Sequence, residues 1–238
     1  MLRDTDSGNV ATIDAPEAAQ IEAALDELGW SLTHILLTHH HADHTEGVEQ
    51  LRNRGKIEVV GAKADATRLP KLDVQVAPGQ PWRFGDHEVQ IIDTPGHTVG
   101  HIVYFFSGAK VLFSGDTLFA MGCGRLFEGT ALQMWGALAE LKKLPEETTV
   151  FFGHEYTAAN ADFSLDIEPD NPELLTRIAD VTKTLGEGGY TTPTTIGLER
   201  KTNPFVRADT AAVARSVGLV GADAAIVFAE VRRRKDRK

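Results

Sequence analysis

A short histidine-rich segment, residues 38–44, contains four strong candidates for transition-metal ligands: His39, His41, Asp43 and His44. An apolar run precedes it and a helix-like segment follows, so it lies where a buried strand ends. His39 and His41 alternate with the histidine between them and point the same way in an extended chain. Imidazole and carboxylate bind zinc, iron or manganese, and four ligands at this spacing suit two adjacent cations better than one. A histidine-rich surface loop without metal is the alternative interpretation.

Three further candidate ligands, His97, Asp116 and His154, each follow a short apolar strand. Strand ends along one sheet edge converge, so these residues can meet the first segment. Taken singly, His97 or His154 is more readily a structural histidine, and Asp116 a turn residue. Together with the first segment they give seven ligands, which serve two metals if one carboxylate bridges. Two metals about 3.5–4 Å apart can hold a hydroxide and polarise a substrate oxygen.

Composition limits the classes of protein that fit the chain. Its 238 residues, 42% of them hydrophobic, suffice for one large domain or one domain with an appendage. A net charge of −10 argues against a nucleic-acid partner. Cys123 is the one cysteine, so no intrachain disulfide can form. The absence of an apolar run of ~20 residues and of a signal segment predicts a cytoplasmic protein without a membrane partner.

The elements that must position these residues change in character near residue 165. Before it, short apolar strands alternate with helical patterns, which predicts two sheets with helices outside. After it, the pattern is helical apart from a connector at 186–207. The sequence therefore predicts an α/β catalytic domain over 1–165 and a small helical domain over 166–238. The predicted helices are 16–29, 45–54, 131–143, 172–185, 209–217 and 222–234.

The ligand pattern resembles the metallo-β-lactamase superfamily, whose fold is an αβ/βα sandwich with the metals at one sheet edge. Three further segments narrow the resemblance to glyoxalase II, the hydroxyacylglutathione hydrolases. They are Gly-Cys-Gly-Arg-Leu-Phe-Glu-Gly-Thr at 122–130, Gly-His-Glu-Tyr-Thr at 153–157 and Arg-Lys-Thr-Asn-Pro-Phe at 200–205. The resemblance covers nearly the whole chain. It implies a metallo-β-lactamase sandwich with a C-terminal α-helical domain that binds glutathione.

The resemblance also implies a role for each candidate ligand. Two divalent transition metals are expected, zinc in the first place and iron or manganese as alternatives. One metal would take His39, His41 and His97. The other would take Asp43, His44 and His154, and Asp116 would bridge the two.

The implied reaction belongs to methylglyoxal detoxification. The bridging hydroxide would attack the thioester carbonyl of S-D-lactoylglutathione and give D-lactate and glutathione, with Asp43 orienting the hydroxide or accepting its proton. Glutathione carries two carboxylates, to which arginine and lysine are complementary. The implied glutathione-binding residues are Arg125, Tyr156, Arg232 and Lys235. A monomer acting on a small-molecule substrate is expected.

Two features depart from the family pattern. Phe127 stands where the family often has an aromatic hydroxyl near glutathione, so one hydrogen bond is expected to be absent. Family members usually have a further strand before the segment that matches residues 2–4, so an edge strand is expected to be missing. Cys123 is interpreted as a small buried residue, because the metals already supply the nucleophile.

Two other functions remain open at this stage. A persulfide dioxygenase of the same superfamily would hold one iron with part of the same ligand set. The second set, Asp43, His44 and His154, argues against it, and about two metals per chain rather than one would separate the two. A non-catalytic glutathione- or metal-binding module would keep the site without turnover.

Overall fold

The computed structural model describes residues 1–238, which divide by their contacts into two compact units. The first unit comprises Met1–Asp93 and Gly100–Ala109, and the second comprises Thr94–Val99 and Lys110–Lys238. No helix in the structure is both long and apolar enough to cross a lipid bilayer.

The first unit contains eight strands, three helices and a 3-10 turn at Lys63–Asp65. In chain order its strands and helices are β1 (Leu2–Arg3), β2 (Val10–Ile13), α1 (Ala18–Leu28), β3 (His34–Leu36), α2 (Ala42–Thr45), α3 (Val48–Arg52), β4 (Glu58–Ala62), β5 (Val74–Val76), β6 (Trp82–Phe84), β7 (His87–Asp93) and β8 (Ile102–Phe106).

The strand that leads to the histidine segment is central in a five-stranded sheet of order β1-β2-β3-β4-β5. It pairs in parallel with both neighbours, and the sheet is antiparallel only between β1 and β2. Ile35, Leu36 and Leu37 are fully buried, as expected for a parallel strand covered on both faces. Strands β6, β7 and β8 form an antiparallel meander. The Tyr104 hydroxyl on β8 donates to the carbonyl of Leu37 at 2.9 Å and fixes the strand end from which the histidines emerge.

The second unit contains five strands and six helices. In chain order they are β9 (Val111–Phe113), β10 (Leu118–Phe119), β11 (Gly122–Cys123), α4 (Ala131–Leu141), β12 (Thr149–Phe151), α5 (Thr157–Ile167), α6 (Pro172–Gly186), β13 (Thr194–Thr195), α7 (Ile196–Thr202), α8 (Ala211–Ser216) and α9 (Ala224–Lys235). β12 pairs in parallel with β9 and antiparallel with β13. β10 and β11 form a separate hairpin.

Local sequence signals explain where several of these helices begin. Thr130 and Gln133 form a reciprocal capping box at the start of α4. Asn171 caps α6 through the backbone N–H of Leu174, and Pro172 occupies the first helical position, where no N–H is needed. These caps fix both helices at the expected positions.

The predicted helix 45–54 was wrong, because two short helices, α2 and α3, occupy the region. The chain breaks at Gly47, whose N–H donates to the carbonyl of Ala15 at 2.8 Å. A Cβ at this glycine would lie 2.9 Å from the Ala18 nitrogen. The backbone therefore passes too close to its neighbour for a continuous helix, and Asp43 and His44 lie inside the first helical turn.

Outside that region five elements were not predicted: the hairpin strands β10 and β11, the helices α5 and α7, and the strand β13. α5 lacks an amphipathic pattern because polar residues such as Asn160 and Ser164 are buried on it together with Phe163. α7 lies within the predicted connector, and β13 adds a strand in a region expected to have none. The predicted domain boundary at residue 165 falls inside α5, which runs from Thr157 to Ile167. The division into domains at that residue stays a prediction.

Candidate metal centre

The first unit brings together the four predicted ligands of the histidine segment. His39 is fully buried, and its Nε2 lies 3.1 Å from Nδ1 of His41. His44 is also buried, and its Nε2 lies 3.8 Å from Oδ2 of Asp43, whose side chain is 61% exposed. The segment thus presents two pairs of donor atoms, one beyond β3 and one in the first turn of α2.

Asp14, which follows β2, fixes the orientation of this segment and was not predicted. Its carboxylate accepts hydrogen bonds from the Thr38 N–H and hydroxyl at 2.8 and 2.9 Å and lies 2.7 Å from Nδ1 of His44. Because a carboxylate accepts, Nδ1 of His44 carries the proton and Nε2 presents its lone pair. Donor atoms of Asp14, His39 and His44 lie within 4.8 Å of one another. Asp14 directly follows a strand, as the predicted ligands do, and this is the sequence signal that could have identified it.

Residues behind the ligands hold them from the other side. Nδ1 of His40 lies 3.1 Å from Oδ2 of the buried Asp65, and its ring packs edge-on against that of His41 with centroids 5.1 Å apart. The ring of His101 stacks on that of His39 with centroids 4.8 Å apart. Gly100 leaves room for Asp65, since a Cβ there would lie 2.5 Å from its carboxyl carbon. These contacts make His40 and His101 supports of the histidine segment rather than members of the predicted ligand set.

The second unit brings together the other three predicted ligands. Oδ2 of Asp116 lies 3.5 Å from Nε2 of His97 and 3.3 Å from Nε2 of His154. Asp116 and His97 are buried, whereas His154 is partly exposed. One carboxylate oxygen therefore lies between imidazole nitrogens that belong to different predicted metals.

A tight turn positions His97. Its Nδ1 lies 2.8 Å from the carbonyl of Arg125, which can only accept, so Nδ1 carries the proton and Nε2 faces Asp116. Gly124 makes this approach possible, because a Cβ there would lie 2.0 Å from the Asp116 carbonyl oxygen and 3.0 Å from Nδ1 of His97. The Gly-Cys-Gly-Arg segment thus packs against two predicted ligands, His97 and Asp116, as well as containing a predicted substrate contact.

These donor atoms fit divalent transition metals. Two ligands of a tetrahedral ion with bonds of about 2.1 Å lie about 3.4 Å apart. The contacts of Asp116 with His97 and His154, at 3.5 and 3.3 Å, match that separation. The contact of 3.1 Å between His39 and His41 is close to it.

The four residues predicted to bind glutathione lie in the second unit but differ in accessibility. Arg125 has a side chain that is 61% exposed, and Tyr156 is 52% exposed with its ring stacked on His154 at 5.1 Å. Arg232 is buried and donates to the Cys123 carbonyl at 3.1 Å. Lys235 is half-buried and donates to the Ala159 carbonyl at 2.6 Å.

Two neighbouring residues bear on the predicted chemistry. Cys123 is buried, as predicted, and burial raises the pKa of its thiol to about 11, which leaves it a poor nucleophile at neutral pH. Phe127 is 61% exposed and packs edge-on against His97 with centroids 5.3 Å apart.

Comparison with known proteins gives the family. Residues 6–154 match the model of the metallo-beta-lactamase superfamily, and residues 155–238 match the model described as hydroxyacylglutathione hydrolase C-terminus. A curated hydroxyacylglutathione hydrolase of Rhizobium meliloti (strain 1021) is 48% identical over 236 residues, which cover 99% of this chain and 92% of the relative. The chain belongs to the hydroxyacylglutathione hydrolases.

Solved structures agree with the fold expected for a hydroxyacylglutathione hydrolase. ETHE1 from Myxococcus xanthus aligns with a TM-score of 0.65 and 28% identity over 98% of this chain and 91% of that one. TTHA1623 in a di-iron-bound form aligns with a TM-score of 0.57 and 26% identity over 81% and 87%. The predictions of the metallo-β-lactamase fold, the helical C-terminal region and an enzyme of this family are confirmed. Family and ligand clusters together indicate a dinuclear metal site.

Proposed function

We propose that this chain hydrolyses S-D-lactoylglutathione to D-lactate and glutathione at a dinuclear metal centre, in methylglyoxal detoxification. Membership of the hydroxyacylglutathione hydrolases supplies the reaction class. The observation that carries the proposal is the single oxygen of Asp116 at 3.5 Å from His97 and 3.3 Å from His154. One oxygen between two ligand nitrogens suits a carboxylate shared by two cations.

The proposed metal ligands follow the family pattern. Zinc is the proposed metal, and the same donors accept iron or manganese. When bound, the metals supply a water of lowered pKa and an electrophile for the thioester carbonyl. The first set is His39, His41 and His97, the second is Asp43, His44 and His154, and Asp116 belongs to both.

The chain's own residues orient the reactants. Asp14 and the Arg125 carbonyl hold Nδ1 of His44 and of His97, so both rings present Nε2 to the site. Asp43 is the exposed carboxylate of the ligand set and is the proposed residue that orients the attacking water and accepts its proton. The water oxygen would bond to the thioester carbonyl carbon as its proton passes to Asp43, and collapse of the tetrahedral adduct would then break the carbon–sulfur bond. Glutathione would leave as a thiolate without a general acid, because a cysteine thiol has a pKa of about 8.5.

The proposed peptide-binding residues are Arg125, Tyr156, Arg232 and Lys235. The exposure of Arg125 supports direct contact with a glutathione carboxylate. Tyr156 lies directly beside a proposed ligand, because its ring stacks on His154. The proposal also includes a cytoplasmic monomer, and a net charge of −10 disfavours nucleic-acid and anionic membrane partners.

Elemental analysis and thioester hydrolysis on the same purified sample test the proposal. We expect about two metals per chain and turnover of S-D-lactoylglutathione. Asp116→Asn should lower the content of both metals and remove most turnover, whereas His41→Ala should spare the second metal. His87→Ala is the matched control, because that side chain is 46% exposed and lies outside both sets.

The outcomes separate the alternatives. Saturation at one iron under excess metal would contradict the dinuclear centre and favour a persulfide dioxygenase. Two bound metals without hydrolysis of the thioester would favour a non-catalytic binding module.

A further inference from the structure

Asp236, just after the end of α9, lies between two cations assigned above to substrate binding. Its Oδ1 accepts from Nη2 and Nε of Arg232 at 2.7 and 3.0 Å. The same oxygen lies 3.6 Å from Nε of Arg125. One carboxylate oxygen of Asp236 therefore contacts both guanidinium groups.

The two arginines differ in freedom. Arg232 is 6% exposed, donates from Nη1 to the Cys123 carbonyl at 3.1 Å and lies over the ring of Phe205 at 5.1 Å. Its position is fixed by packing, so an anion must come to it. Arg125 is 61% exposed and can turn toward a ligand. A fixed cation and a movable cation thus share one counter-ion.

Asp236 is poorly placed for helix stability. A negative charge at a helix C-terminus opposes the helix dipole, and the last turn of α9 otherwise carries basic residues. The carboxylate gains its favourable contacts from the two arginines alone. A carboxylate of a ligand would bind between the same two guanidinium groups in the same way.

We propose that Asp236 is an intramolecular counter-ion that competes with a glutathione carboxylate for Arg125 and Arg232. Substrate binding displaces it from Arg125 and reduces its hold on Arg232, so Asp236 weakens binding and sets KM. The inference rests on the proposed function, because the competing ligand is a glutathione thioester.

Asp236→Asn tests the inference, because the amide keeps the shape and one acceptor oxygen but removes the charge. We expect KM for S-D-lactoylglutathione to fall about three- to tenfold with kcat unchanged, since the contact acts equally on ground and transition states. The Kd of glutathione, measured by calorimetry, should fall by the same factor. In an Arg125→Ala background Asp236 no longer competes for Arg125, so Asp236→Asn should lower KM by a smaller factor.

Glu230→Gln is the matched control. It removes one negative charge from the same helix, but Glu230 pairs with Arg233 and Arg234. An equal fall in KM would assign the effect to net charge and overturn the inference. An unchanged or higher KM in Asp236→Asn would also overturn it, and would make Asp236 a residue that only orders the arginines. Asp236→Ser replaces the variant if thermal unfolding finds Asp236→Asn misfolded.

Calorimetry separates this inference from the proposed function. If the wild type binds glutathione without hydrolysing the thioester, the proposed function fails and the ratio of Kd values still decides the role of Asp236. If neither protein binds glutathione, the counter-ion inference is overturned.

Discussion

At the scale of single residues, three of the five predicted metal-binding histidines are held through their Nδ1 ring nitrogen. Nδ1 of His44 lies 2.7 Å from the Asp14 carboxylate. Nδ1 of His97 lies 2.8 Å from the Arg125 carbonyl, and Nδ1 of His39 lies 3.0 Å from the Thr38 hydroxyl. Each bond fixes a ring before any ion arrives. The order in these rings therefore lowers the conformational entropy that metal binding has to overcome.

Asp14→Asn should weaken metal affinity about 10- to 100-fold, because an amide cannot satisfy both Thr38 donors and Nδ1 of His44 as the carboxylate does. Competition with a chelator measures the affinity. Asp26→Asn is the control, since Asp26 is an exposed partner of Arg54. Equal affinities for Asp14→Asn and wild type would rule out this support role.

Lys235 should make substrate binding depend on pH. Burial first, and then the charges of Arg232 and Lys238, lower the pKa of its ammonium group to about 8. The group is charged below that value and neutral above it, so KM for the thioester should rise between pH 7 and 9. Lys235→Arg keeps the charge and should remove that part of the rise, as steady-state kinetics can measure. The same rise in both proteins would show that Lys235 does not bind the substrate.

At the scale of elements, the hairpin β10–β11 links the metal site to the helical region. Asn203, after α7, donates to the carbonyls of Phe119 and Gly122 at 3.3 and 2.9 Å. The buried carboxylate of Glu199 accepts the Met121 N–H at 2.9 Å and the Asn203 amide at 2.8 Å. The Arg-Lys-Thr-Asn-Pro-Phe segment therefore supports the hairpin that follows Asp116.

Asn203→Ala should lower the free energy of unfolding by about 2–3 kcal/mol, because it removes the side-chain donor to two buried carbonyls and one of the donors to Glu199. Urea denaturation measures the change. Asn53→Ala, at an exposed position after α3, should change it by less than about 0.5 kcal/mol. Equal losses for the two variants would exclude a structural role of the hairpin network.

Gly124→Ala should reduce metal content and turnover about tenfold or more, because its Cβ would lie 2.0 Å from the Asp116 carbonyl oxygen. Gly136→Ala in α4 is the matched control, since a Cβ there meets nothing within 4 Å. This control should keep turnover and stabilise the helix by up to about 1 kcal/mol. Full metal content in Gly124→Ala would contradict the tight approach.

At the scale of the whole molecule, the proposed metals should contribute to stability, because they bind the folded chain and not the unfolded one. Binding at 100 times Kd adds about 2.7 kcal/mol. Chelation should therefore lower the Tm by about 5 °C or more for a chain of this length. Differential scanning fluorimetry with and without chelator measures the shift, and Asp116→Asn should show little of it. An unchanged Tm in the wild type would contradict the proposed metal sites.

The sequence by itself was enough to predict the candidate ligands and to identify the family and the fold class. His39, His41, Asp43 and His44 lie close along the chain, and strand ends converge in any sheet, so spacing alone predicted a metal site. Apolar runs and capping residues also gave most strands and helices, because those signals are local. Helices with buried polar faces, such as α5, were not predicted because their apolar residues show only weak helical periodicity.

Only the tertiary structure decided which residues support the site. Asp14 lies thirty positions before His44 and Asp236 over a hundred after Arg125, and their contacts depend on how distant segments pack. The break at Gly47 likewise comes from the close passage of Ala15 and Ala18. Metal-binding chemistry can therefore be predicted from residue type and local spacing. Ring orientation and charge pairing depend instead on contacts between segments that are distant along the chain.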